Sequence, residues 1–301
     1  MKIINYIKNP KRIIIYLMNI GCFRFLSDKT FIKMKFKLVM GRSLNLDKPI
    51  TFNEKIQWLK LYDHKEEYTT MVDKEKVKEY VSNIIGEQYI IKTYGVYDSF
   101  DEIDFDKLPN KFVIKCTHDS GGIVICSDKN SLDKIEAKKK INKFLSRKYY
   151  YVHREWPYKN IKPRIIIEKY MEDSNLKELR DYKFFCFNGN VEFFKIDFDR
   201  YVQHGANYFD KNLNLMKFGE VVCPPNFEKK LDIPKNIYKM IEYAEKLSKN
   251  IPFARIDFYD VNDHVYFGEI TLYPAAGFGK FDPEEWDYKL GNLIRIKNNE
   301  K

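Results

Sequence analysis

IPFARIDFYDVNDHVYFGEITLYPAAGFGKF, running from Ile251 to Phe281, is the stretch whose reading decides the fold. It opens as a strand on which Arg255, Asp257 and Tyr259 share one face, because strand side chains alternate with period two. A polar turn around Asn262-Asp263-His264 leads into a second strand, on which Phe267, Glu269 and Thr271 share a face. With a three-residue turn, Val261 pairs with Val265 and Asp257 lies opposite Glu269, both carboxylates pointing the same way. A two-residue turn puts them on opposite faces. Neighbouring carboxylates repel unless a divalent cation lies between them. Mg²⁺ takes oxygen ligands and completes its shell with waters and substrate phosphates. The stretch therefore reads as a carboxylate–Mg²⁺ hairpin, with Arg255 available to an anionic reacting group. A surface hairpin with scattered charges is the other reading of the same residues.

Working outward, the chain has 301 residues, enough for two or three packed lobes. Hydrophobic residues at 44% and aromatics at 16% exclude a disordered chain. The cysteines, Cys22, Cys116, Cys126, Cys186 and Cys223, are odd in number and form no C-x-x-C pair. They read as buried free thiols in a reducing, cytoplasmic compartment, not as a disulfide framework or zinc site. No signal peptide is evident, and the apolar run Ile13 to Phe23 is too short to span a bilayer. The formal charge is +10, and all of the excess lies in the first 60 residues. Such a segment suits a solvated helical appendage, or peripheral contact with an anionic inner membrane face or an acidic polymer. No nucleic-acid motif accompanies it, so nucleic acid is not expected as a partner.

Four regions follow: a basic helical segment at 1–62, a helix and linker at 63–110, a small lobe at 111–170 and a large lobe at 171–301. Thr51-Phe52-Asn53-Glu54 offers a capping box for a helix through Tyr62. Tyr68 to Val81 reads as one helix, capped near Asp73 and stopped by Gly86, with a short strand from Tyr89 to Tyr94. Lys115 ends a strand before the loop His118-Asp119-Ser120-Gly121-Gly122, whose glycines let backbone N–H groups turn toward an anion. The same Gly-Gly also reads as a plain turn. It is not a Walker loop, since G-x-x-x-x-G-K-[ST] is absent. A basic helix runs from Ser131 to Tyr150. Ile165 to Met171, through Glu168, Lys169 and Tyr170, reads as a buried strand breaking into a hinge, the kind of place that receives an adenine ring. Asp181 and Lys183 share a face of a strand that turns over Asn188-Gly189-Asn190, one able to meet a ribose and the other a phosphate. Residues 199–232 read as irregular. Arg200, His204 and Asn207 are polar there without a telling spacing, and His204 reads as a surface histidine.

In order, these pieces resemble the ATP-grasp superfamily over roughly residues 65–290. TFNEKIQWLK at 51–60, FVIKCTHDSGG at 112–122, DYKFFCFNG at 181–189 and GEITLYP at 268–274 resemble its TupA-like branch, associated with teichuronopeptide, capsule and surface-polysaccharide biosynthesis. The resemblance implies an α+β fold clamping ATP between two lobes with mainly antiparallel sheets. It implies that Lys74 and Lys115 hold phosphates, with His118, Asp119, Ser120, Gly121 and Gly122 as the lid. Glu168, Lys169, Tyr170 and Met171 would receive adenine, Asp181 the ribose and Lys183 the phosphates. Asp257, Glu269 and Thr271 would hold Mg²⁺, and Arg255 would stabilise the transferred phosphoryl group. Thr271 stands where the commonest superfamily pattern has Asn, and its hydroxyl is a weaker ligand than an amide carbonyl, which leaves the number of metal ions open. The implied reaction activates a carboxylate as an acyl phosphate that an amine then attacks. A uronic acid in an acidic glycan and an amino acid or amine would be the substrates. A sugar kinase or glycosyltransferase, or an ATP-binding scaffold without turnover, are the alternatives.

Overall fold

The structure is a computed structural model, and it describes residues 10–174, 179–199 and 202–296. The chain begins with helices α1 (Pro10–Asn19), α2 (Asp28–Met40), α3 (Phe52–Tyr62), α4 (Glu66–Val72) and α5 (Lys76–Ile85). Strands β1 (Thr93–Tyr97), β2 (Phe112–Cys116) and β3 (Ile123–Cys126) follow, then helices α6 (Lys134–Leu145) and α7 (Tyr150–His153) and strand β4 (Ile165–Lys169). The large sheet begins with β5 (Asp181–Phe187), β6 (Asn190–Phe198), β7 (Gly205–Asp210) and β8 (Leu215–Met216); β9 (Gly219–Glu220) comes next. Helix α8 (Ile237–Leu247), strands β10 (Phe253–Val261), β11 (His264–Thr271) and β12 (Phe281–Asp282), and helix α9 (Glu285–Leu293) complete the order.

Two antiparallel sheets carry the architecture: one of four strands ordered β1-β4-β2-β3, one of six ordered β11-β10-β5-β6-β7-β8. This is the mainly antiparallel α+β arrangement that the resemblance implies. Strand β2 buries alternate residues, whereas β5 is buried along its whole length on both faces. Phe184, Phe194, Ile256 and Phe258 pack in one core with Met240, Ala244 and Leu247 of α8. Phe185, Phe187, Phe193 and Phe253 join the same core with Phe52 of α3. The four-stranded sheet has its own smaller core around Phe112, Ile114, Ile165 and Ile167, closed by Ala137 and Ile141 of α6.

Several boundaries differ from the sequence reading. The helix expected over Tyr68 to Val81 is two helices, broken at Asp73, whose Oδ1 accepts from the backbone N–H of Glu75 at 2.9 Å. A carboxylate that bonds its own following backbone competes with the helix. The strand expected at Tyr89 is a 3₁₀ turn, and β1 starts later. The basic helix starts at Lys134, capped by Asp133, while Ser131 lies in a 3₁₀ turn. Residues 199–232, read as irregular, contain β7, β8 and β9. Arg200 lies outside the described residues. Helix α3 has the capping box, Thr51 Oγ1 accepting from Glu54 N and Glu54 Oε2 from Thr51 N. It buries Phe52, Ile56 and Leu59 in the large core, so the expected boundary at residue 62 cuts through packed structure.

Candidate active site

The hairpin turn has two residues, not three. Val261 pairs with His264, and Asn262 and Asp263 take φ of 53° and 61°, the paired positive values of a type I′ turn. By alternation alone this would separate the carboxylates. The register then shifts between Asp257 and Phe258, with Gly268 as the extra residue, and Asp257 returns opposite Glu269. Glycine suits the bulge because a Cβ there would stand 3.0 Å from the Asp257 carbonyl oxygen. The expected pairing is present, reached by a bulge in place of a longer turn.

Register carries the row across the sheet: Glu269 on β11, Asp257 on β10, Lys183 on β5, Lys195 on β6. Arg255 donates to both Asp257 oxygens at 2.7 Å, to Glu269 Oε1 at 2.9 Å and to Thr271 Oγ1 at 3.0 Å. Lys183 lies 2.7 Å from Asp197, 3.2 Å from Asp181 and 3.8 Å from Asp257. Burial raises the Asp257 pKa, and Glu269 adds to this against the pull of Arg255 and Lys183. Glu269 is half exposed at the cleft, and against the desolvation there Arg255, Lys74 and Lys183 hold its pKa below the ordinary value. Two opposed carboxylates and a hydroxyl form an all-oxygen donor set. Its repulsion is offset by one guanidinium, so the residues fit a hard divalent cation.

Across the cleft, the break between α4 and α5 presents Lys74, whose Nζ donates to the Asp119 carbonyl oxygen at 2.7 Å. Lys115 and Lys78 grip Glu168 at 2.6 and 2.5 Å. Burial alone would raise Glu168, but the two ammonium groups outweigh it and hold the carboxyl at about 2. A cavity of about 280 Å³ joins these groups: Lys74, Lys78, Lys115, Glu168, Asp181, Lys183, Asp257 and Glu269 line it together with Val72, Ile91, Tyr259 and Ile270. Its lining combines charged with apolar side chains, as a nucleotide requires.

Other expected residues sit elsewhere. Lys169 is exposed, and its N–H donates to the Lys92 carbonyl at 2.9 Å. The Lys111 ammonium lies 5.9 Å from the Tyr170 ring centroid, and Met171 packs with Ile91 and Val261. None of the three lines the cavity. In the lid, His118 is buried and bonded to the Arg147 carbonyl, and Asp119 faces Arg147 at 3.4 Å. Ser120 and Gly121 are exposed, while Gly122 is buried where a Cβ would meet Phe144 and Cys116 within 3 Å. Gly122 thus serves packing. Lys78, Lys195, Asp197 and Glu220 were missed from the sequence. Lys78 stands four residues after Lys74, and Lys195 and Asp197 alternate on β6 as Asp181 and Lys183 do on β5. Lys195 pairs with Glu220 at 2.7 Å. His204 lies 3.7 Å from Asp197 at the rim of this cluster.

A second cavity of about 390 Å³ adjoins the first, sharing Lys74 and Glu269 and continuing past Arg255 and Thr271 to Tyr273, Ala275 and Ala276. Ala275, Ala276 and Gly277 all have positive φ, 47°, 52° and 69°. Helix α3 holds this strained loop: Gln57 Nε2 donates to the carbonyls of Ala276 and Gly277, and Lys60 Nζ to that of Ala276. The TFNEKIQWLK segment therefore supports the site from beneath.

Fold and cleft together define an ATP-grasp protein, with a cluster of lysines and a carboxylate hairpin facing one another between two antiparallel sheets. The chain belongs to the TupA-like ATP-grasp family, whose sequence pattern matches residues 54–295. Among solved structures it is similar to D-alanine–D-alanine ligase from Bacillus anthracis, complexed with ATP, at 14% identity and a TM-score of 0.41. That match covers 67% of this chain and 54% of the other, so the chain spans little more than half of its length. It is also similar to the D-alanine–D-alanine ligase of Helicobacter pylori, at 13% identity and a TM-score of 0.44, covering 81% and 69% of the two chains. Phosphoribosylamine–glycine ligase from Thermotoga maritima is similar at 13% and 0.43, covering 70% and 51%. No protein of curated function matches the sequence.

Proposed function

We propose that this chain is an ATP-dependent carboxylate–amine ligase working through an acyl phosphate, and that its carboxylate is a uronic acid of a surface polysaccharide or its precursor. The observation that carries the reading is the row Glu269–Asp257–Lys183 facing Lys74 and Lys115 across a single cavity. Lys74, Lys115 and Lys183 would hold the triphosphate of ATP, and the apolar end of the cavity its base. Asp257 and Glu269, with Thr271 beside them, would hold Mg²⁺, which supplies charge neutralisation for the phosphoryl group. Arg255, freed in part from the two carboxylates, would meet the transferred phosphoryl and the departing phosphate. Glu168 positions Lys115 and Lys78 and need not touch the nucleotide. The family's association with teichuronopeptide and capsule supports an acidic glycan as substrate, and the basic first segment suits one that is lipid-linked.

The test is mass spectrometry of products from Mg·ATP with a panel of uronic-acid glycans and amino acids. An amide with stoichiometric ADP is expected. A phosphosugar or a new glycosidic bond would replace this reading with sugar phosphorylation or glycosyl transfer, and tight ATP binding without ADP release would leave a scaffold. Asp257→Asn and Glu269→Gln should each lower turnover at least a hundredfold with unchanged circular dichroism. Wild-type turnover in both would remove the hairpin from the mechanism.

A further inference from the structure

The second cavity contains a carboxylate that the mechanism above does not use. Glu155 lines it and is 7% exposed, and its carboxylate has no hydrogen-bond or ion-pair partner among the described residues. Burial pushes its pKa up to about 7, and the charges of Lys60 and Lys35 offset this only in part. Neither lysine bonds to it. Lys60 points its ammonium at the carbonyls of His153 and Ala276, and Lys35 points its own at Asn19, at the Val152 carbonyl and at His153. The cations that do line the cavity are already engaged: Lys74 with the Asp119 carbonyl, Arg255 with Asp257, Glu269 and Thr271. Tyr149, Tyr158 and Tyr273 complete the wall, and the Glu155 charge is felt at all three hydroxyls. The unfilled capacity here is for a donor, a compact cation with several N–H bonds to give.

We propose that this cavity is the subsite for the primary amine of the nucleophile, which binds to Glu155 as the ammonium and passes it the proton that frees the nitrogen lone pair for attack, with the tyrosine hydroxyls as secondary acceptors. The assignment rests on the ligase reading for its place in the reaction, since the amine must approach the activated carboxylate from beside Arg255 and Thr271, where this cavity opens. A neutral sugar could donate hydroxyls to the carboxylate but would leave its charge unbalanced, and a second carboxylate would be repelled by it. The subsite recognises the ammonium end only. The remainder of the amine substrate extends along the tyrosine wall.

The test titrates the full chain, with and without the non-hydrolysable Mg·AMP-PNP, against three probes followed by NMR: glycinamide, methyl glucoside and acetate. Saturable glycinamide binding is expected, with Kd at least tenfold weaker in Glu155→Gln and intermediate in Glu155→Asp, which keeps the charge one methylene further back. Thermal melts of both variants establish that they are folded. Should Glu155→Gln not fold, Tyr158→Phe is expected to weaken glycinamide binding and leave acetate without binding. Glycinamide binding unchanged by Glu155→Gln, absent from the wild type, or replaced by acetate or glucoside binding would overturn the assignment. Failure of AMP-PNP to bind would instead count against the ligase reading, because the amine titration of the nucleotide-free chain stands without it.

Discussion

Glu168 links two lysines from different elements, Lys78 on α5 and Lys115 on β2, and so ties helix α5 to the four-stranded sheet. Its folded pKa of about 2 lies below the ordinary 4.5. A depressed carboxylate contributes stability that is fully present above the unfolded pKa and is lost as pH falls through the folded one. The window is therefore from about pH 4.5 down to pH 2, and the contribution is about 3 kcal/mol. Urea melts should show wild-type stability falling more steeply across that window than in Glu168→Gln, which has no proton to take up. Equal acid limbs would deny the two lysines their hold on this carboxyl. Individual lysines and acids of the cleft were legible because their spacing along strands is visible in the sequence. What Glu168 pairs with was not, since Lys78 and Lys115 are 37 residues apart in the chain and only the fold joins them. The hinge at Glu168 to Met171 was read from a buried strand breaking into a polar segment, and of these residues Glu168 lines the cavity while Lys169, Tyr170 and Met171 do not.

Helix α3 and the loop after β11 form one mechanical unit. Gly277 combines φ of 69° with close approach, since a Cβ there would meet Gln57 Nε2 at 2.6 Å and Ile56 Cγ2 at 2.7 Å. Gly277→Ala should cost about 1–3 kcal/mol, from strain and overpacking together, measured as a lowered urea midpoint. Gln57→Leu, nearly equal in size, should cost about 1–3 kcal/mol by taking the donor from the Gly277 carbonyl and leaving the Ala276 carbonyl to Lys60 alone. If the midpoint does not move in either variant, the loop is not held from α3. The capping box made the start of this helix readable, and the apolar alternation made both hairpin strands readable. The bulge at Gly268 was not readable, because a glycine in a strand does not say whether it is a gap in packing or an extra residue. Two errors of register, a short turn and an added residue, therefore cancelled at the carboxylates.

At the scale of the molecule, the basic N-terminal segment is more than an appendage. Phe31, Ile32 and Phe36 of α2 are buried with Met18 of α1, and Lys35 reaches the Val152 carbonyl. Removing the segment would therefore damage the fold as well as any surface it offers. Tyr16, Ile20 and Phe25 remain exposed close to Lys11 and Arg12 in sequence, and no helix among the described residues is long and apolar enough to cross a membrane. If the segment meets an anionic bilayer, Ile20→Ser with Phe25→Ser should reduce sedimentation with phosphatidylglycerol vesicles several-fold at unchanged melting temperature. Unchanged sedimentation would detach membrane contact from these side chains. The division of the chain was only partly readable, since charge and composition mark the first segment while its burial depends on partners more than a hundred residues away, such as Arg154 stacked over Phe31.

Lys74 has a consequence of its own. Its backbone N–H is tied to the Thr117 carbonyl and its ammonium to the Asp119 carbonyl, so the same residue that would greet a phosphate also bolts the glycine-containing loop shut. An arriving nucleotide would have to draw that ammonium away. Occupancy would then loosen the loop before any closure tightened it. Amide exchange at Ser120 and Gly121 should accelerate on nucleotide binding, the reverse of the protection that a simple clamp would produce.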